Sequence, residues 1–205
     1  MTNRKIKDYQ RNEIARLMIT ENYKNLCRLL VVLNKLYPKQ FYPKAICEWL
    51  DLYAARCGKM NKYDAAGVYD IKINEFAEDY NIDKEACLQF VVKNNPEIRH
   101  HDNKILLAHN MMLALIETCE DFGIGEKRLD IITQALLISD IKDPLSEMKD
   151  IGLEVDVTNE KIDYRELKPK KPKETTYAEM KAAYKDLEGL KAYQEYMRNS
   201  GEINE

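Results

Sequence analysis

Between Leu106 and Cys119 the chain places Leu106, Leu107, Met111, Leu113, Ala114, Leu115 and Ile116 on nearly every side of one helical wheel. A helix with no polar stripe must be covered all round, so this segment predicts the centre of a helical bundle. The rest of the chain has to supply the cover. Apolar residues make up 45% and charged residues 33%, with only seven Gly and six Pro in 205 residues. That balance favours helices joined by short loops over a turn-rich β fold, and the length suits one domain of about 150 residues with an appendage. The fold class expected is mainly α, a compact helical bundle with an extended C-terminal helical arm.

Covering helices are legible on the N-terminal side. From Asp8 to Leu36, Ile14, Leu17, Met18, Leu26, Leu29, Leu30, Leu33 and Leu36 recur at threes and fours, marking one long or once-broken amphipathic helix that Pro38 stops. Pro43 suits the first turn of the next helix, whose apolar face of Ile46, Trp49, Leu50 and Tyr53 runs to Gly58, with Trp49 as core anchor. Residues 59–72 read as a short helix or a loop. The five cysteines, at 27, 47, 57, 87 and 119, are odd in number and form no CxxC pair, so they read as reduced core thiols.

Ile73–Asn94 carries the spacing of a helix-turn-helix. Two helices crossing steeply need a small residue where their backbones approach, a residue tolerant of a left-handed turn, and an apolar plug after it. Ala77, Asn81 and Ile82 stand at those offsets. Phe76, Tyr80, Cys87, Phe90 and Val91 complete an inward face, and Asp83 is placed to cap the second helix. Lys84, Glu85, Gln89 and Lys93 remain outside. Such a pair fits a DNA-reading motif, in which Lys84, Gln89 and Lys93 approach bases, and equally a plain core hairpin.

After Pro96, EIRHHDNKILLAH fits two short strands around Asp102 and Asn103, a wing in which Arg99 and His100 meet phosphate, or a solvated loop leading into the next helix. His101, Asp102 and His109 invite a metal reading, but three histidines in the whole chain supply too few converging ligands, so no metal or cofactor is expected. No nucleophile–base pair or paired carboxylates stand at an interpretable spacing either. A non-enzymatic role is the expectation.

DFGIGEKRLD follows the central helix, where Gly123 and Gly125 allow a tight reversal into a helix carrying Leu129, Ile132, Leu136 and Leu137. No strand precedes it, so neither GxG nor DFG marks a nucleotide loop or a kinase. Basic Lys127 and Arg128 oppose the dipole at a helix start, and pairing with Glu120 or Asp121 would compensate. Phe122, Gly123, Gly125, Lys127, Arg128 and Leu129, with Leu145–Leu153 as a tail, resemble a segment of short uncharacterised proteins of phages and prophages of Firmicutes. The resemblance covers residues 106–153. It implies a mobile-element context, in a small binding protein acting on a host or phage nucleoprotein, and no particular mechanism.

From Thr158 to Thr176 two lysine-proline steps and dense charge predict an extended linker. Thr176 and Glu179 then form a capping box for a final helix bearing Tyr177, Met180, Tyr184, Tyr193 and Tyr196. Tyr and Met are enriched at interfaces, so this arm is expected to dock on a partner or a second subunit, or else to fold back on its own core. The domains are then a helical body at 1–157, a linker at 158–175 and an arm at 176–205.

Net charge is −3, yet residues 1–35 hold eight Lys/Arg against three Asp/Glu. The polar N-terminus lacks the apolar run of a signal peptide and no segment reaches a membrane span, so a cytoplasmic location in a bacterial host, with no membrane partner, is expected. Two functions fit. One is a regulator that binds nucleic acid or a nucleoprotein complex; the other is an anti-CRISPR-like inhibitor that blocks a host defence nuclease by protein–protein binding.

Overall fold

The computed structural model describes residues 3–98, 103–157 and 162–167, which belong to one unit, Met1–Leu167. In chain order the elements are α1 (Asn3–Leu36), α2 (Pro43–Ala65), α3 (Tyr69–Asp79), α4 (Lys84–Asn94), a 3-10 turn at Pro96–Ile98, α5 (Asn103–Phe122), α6 (Glu126–Ile138), α7 (Pro144–Asp150), β1 (Leu153–Asp156) and β2 (Asp163–Glu166). The protein is mainly helical, as expected. Among the described residues no helix is long and apolar enough to cross a membrane.

α5 is the central helix, packed by α1, α2, α3 and α4, and every residue from Leu107 to Cys119 except Asn110 is buried. Trp49 is fully buried on α2, stacks on Tyr53 at 5.3 Å, and donates its indole N–H to the Thr118 hydroxyl at 3.1 Å. Burial of so large a side chain is tolerated only because the N–H finds that partner. Trp49 near the start of α2 meets the last turns of α5 while Met60 near its end lies against Leu106 and Leu113, so α2 runs antiparallel to α5. One turn further along α5 than Thr118, Phe41 stacks on Phe122 at 5.1 Å and ties the α1–α2 turn to the end of the central helix.

The reversal after α5 uses Gly123 in the left-handed region, φ 62°. Side chains satisfy the carbonyls left open there: Gln40 donates to Phe122, and Arg128 donates to Gly123 at 3.1 Å while its guanidinium lies 5.8 Å from the Tyr37 ring centre. Arg128, exposed on α6, thus has its partners within the chain, but they are not Glu120 or Asp121 as expected. Both of those carboxylates belong to Arg56 of α2, at 2.5 and 3.7 Å.

Three boundaries differ from expectation. α2 continues through Gly58 to Ala65, because buried Tyr53 and Met60 hold the helix on both sides of the glycine. Of the two readings after Pro96, the two-stranded wing is overturned in its second half and the entry into a helix holds there, since α5 begins at Asn103 and Leu107 onwards packs as helix in the core. The charged segment expected as linker contains β2, antiparallel to β1 with Leu153 opposite Glu166 and Val155 opposite Tyr164. Leu153 and Val155 are buried, and the Tyr164 hydroxyl donates to Asp51, fastening the hairpin to α2. Gly152, φ 91°, starts the hairpin where a Cβ would stand 3.3 Å from the Pro43 ring.

Candidate nucleic-acid interface

α3 and α4 are joined by a tight turn at Asn81. Asn81 adopts φ 55°, Ala77 is fully buried on the last turns of α3 and Ile82 is buried after the turn. Ile82 N–H donates to the Ala77 carbonyl at 2.8 Å, and the Asp83 carboxylate accepts from the Ala86 N–H at 2.9 Å as the N-cap of α4. Phe76 and Tyr80 are half-buried against the core, with Phe76 edge-on to Tyr63.

The outward residues of α4 are engaged within the protein. Lys84 pairs with Glu78 at 2.6 Å, and Gln89 donates to Glu85 at 3.3 Å. Lys93 donates to the carbonyls of Leu137 and Ser139 at 2.7 and 2.6 Å, sitting on the C-terminal end of α6 where a cation is favoured. Residues 69–94 together carry three Lys/Arg against six Asp/Glu. A duplex approaching this face would meet more carboxylates than cations. Arg99 and His100, and the arm residues Tyr177, Met180, Tyr184, Tyr193 and Tyr196, lie outside the described residues.

A different surface gathers at the end of the bundle where α5 starts. α1 is one unbroken helix of 34 residues, about 51 Å long at 1.5 Å per residue, and from Glu13 onward its first buried side chain is Met18. Glu13, Ile14, Ala15, Arg16 and Leu17 are all exposed, which is more than a full turn with no element covering it. Residues 3–17 hold five Lys/Arg against two Asp/Glu. The last turns of α2 reach the same end, with Lys59 and Lys62 exposed. Between α2, the start of α3 and α5 lies a groove of about 290 Å³ lined by Cys57, Met60, Asn61, Asp64, Tyr69, Leu106, Asn110 and Leu113.

Two ionisable groups sit inside the bundle near this groove. His109, buried on α5, meets Asp70 at 3.2 Å; burial pushes its pKa down and the carboxylate partly restores it. Glu117, 1% exposed, bonds Arg56, whose charge also serves Glu120 and Asp121. Burial pushes the Glu117 carboxyl up to about 7, Asp121 adds to the rise and Arg56 opposes it. Among the described residues no group of three or more His, Cys, Asp or Glu side chains converges as a metal site would require. Cys27 and Cys87 are buried thiols, each pushed up to about 12 by loss of water.

Sequence reasoning found the turn and its cap but not the groove or the Arg56 cluster. Glu117 was the available signal, as a charged residue inside an otherwise apolar helix needs a partner. No family model matches the chain, and no curated protein or solved structure matches it.

Proposed function

We propose that this is a non-enzymatic, mobile-element regulator that binds nucleic acid or a nucleoprotein complex, and that phosphates are met by the basic first turns of α1 rather than by α4. The observation that carries the reading is the exposure of Glu13–Leu17 around a whole helical turn, in a segment rich in Lys/Arg. A helix with no tertiary cover and an excess of cations is suited to backbone contact, which is indifferent to base sequence. The helix-turn-helix then serves as a brace, with Lys93 tying α4 to α6.

Salt dependence tests this. Several phosphate contacts should make affinity fall steeply between 50 and 200 mM salt, and replacing Lys5, Lys7 and Arg11 by Glu should flatten the slope by about one unit per lost contact. Failure to bind either duplex or single strands at 50 mM salt would remove the reading.

The acidic half of the body favours a second reading. Residues 103–157 hold five Lys/Arg against eleven Asp/Glu. Such a surface suits occlusion of a basic channel in a host defence nuclease. Recovery of a nuclease from host lysate, retained by the Lys5/Lys7/Arg11 variant, would favour inhibition by protein–protein binding.

A further inference from the structure

The groove at the α5 start combines three properties. Its floor is apolar, with Met60 and Leu113 buried and Leu106 forming a half-exposed wall. Its rim carries two carboxamides, Asn61 and Asn110, neither of which forms a hydrogen bond to another described residue, with the Asp64 carboxylate and Tyr69. At about 290 Å³ it lies at the small end of ligand sites, enough for one flat ring system and not for an extended chain.

That chemistry is selective. A carboxamide offers a donor and an acceptor side by side, matching the edge of an adenine, and a carboxylate accepts from the exocyclic amine of a base. An aromatic side chain and an apolar floor suit a base face withdrawn from its stack. Exposed Lys59 and Lys62 flank Met60 and Asn61 on α2, where phosphates next to an inserted base would run, and the basic first turns of α1 belong to the same end.

We infer that the groove takes a single unstacked, amino-bearing base, adenine or cytosine, of a single-stranded nucleic acid. The inference rests on the nucleic-acid reading above and names its ligand. Bases paired in a duplex cannot enter, since their edges and faces are already occupied.

The test uses the full chain and fluorescence anisotropy with labelled oligonucleotides of about 12 nucleotides, one each of dA, dC and dT, beside a duplex of mixed sequence. Expected are dA and dC strands bound about tenfold or more tighter than dT, which has no exocyclic amine. The double variant Asn61→Ala/Asn110→Ala should bring dA and dC down to the dT level while leaving the salt slope unchanged. Asp64→Ala, at an exposed position, gives a second reading of the same preference should the double variant fold poorly. Equal binding of all three strands, unaffected by D64A, overturns the groove proposal and leaves the phosphate reading standing. Loss of all binding at low salt overturns both.

Discussion

The Lys93 ammonium of α4 lies 2.6 Å from the Ser139 carbonyl oxygen, so α4 spends its last cation on closing α6. Replacing Lys93 by Met should therefore be read in stability first. Lost charge-to-carbonyl bonds at an exposed helix end cost about 0.5–1 kcal/mol. A chemical denaturation midpoint should fall accordingly, with nucleic-acid affinity changed less than threefold at equal salt. A large affinity loss without a stability change would return α4 to the interface.

Asn81 is the only described non-glycine residue with positive φ. Asn81→Gly should leave stability within a few tenths of a kcal/mol, whereas Asn81→Val should cost about 1–2 kcal/mol, because a β-branched side chain crowds the left-handed turn. Equal melting temperatures for the two variants would show that the turn relaxes.

Gly58 stands inside α2 with no heavy atom within 4 Å of where a Cβ would be placed. Gly58→Ala should stabilise the protein by about 0.5–1 kcal/mol, by reducing the freedom of the unfolded chain. Urea midpoints at constant slope are the readout.

Glu117 makes stability depend on pH in a predictable direction. Its folded pKa stands near 7, above the ordinary 4.5, so the carboxyl binds protons more readily when folded. The contribution is complete below pH about 4.5 and is lost as pH rises through 7, on the order of 2–3 kcal/mol. His109 works the other way: its depressed pKa makes protonation of the folded state costly at low pH, so stability is regained as pH rises toward the ordinary 6.5 and is constant above it. The difference between wild-type and Glu117→Gln melting profiles from pH 4.5 to 8 isolates the carboxyl. Parallel profiles would contradict the assignment.

The turn at Asn81, the Asp83 cap and the buried course of α5 were legible because each depends on neighbours a few residues away. The choice between wing and loop stayed open for the same reason. Ile105–Leu107 is a short apolar run, which fits strand or buried helix equally until the packing partner is known. β1 left a visible trace in the alternation of Leu153, Val155 and Val157, but its partner β2 hides in a charged stretch and is held through Tyr164 and Asp51, distant in sequence. The groove has no trace at all, since α2, α3 and α5 each contribute only one or two of its polar groups.

α1 is a single helix by geometry and two by thermodynamics. From Leu26 to Leu33 nearly every turn is locked into the core, so those amides should exchange with solvent only when the whole bundle unfolds. At Glu13–Leu17 the same hydrogen-bonded spiral is exposed on every side, and a short uncovered stretch is marginal in water by itself. Its amides should exchange orders of magnitude faster. Protection that spreads toward Asn3 when a ligand is added would therefore mark the contact residue by residue, on a helix whose far end serves as its internal standard.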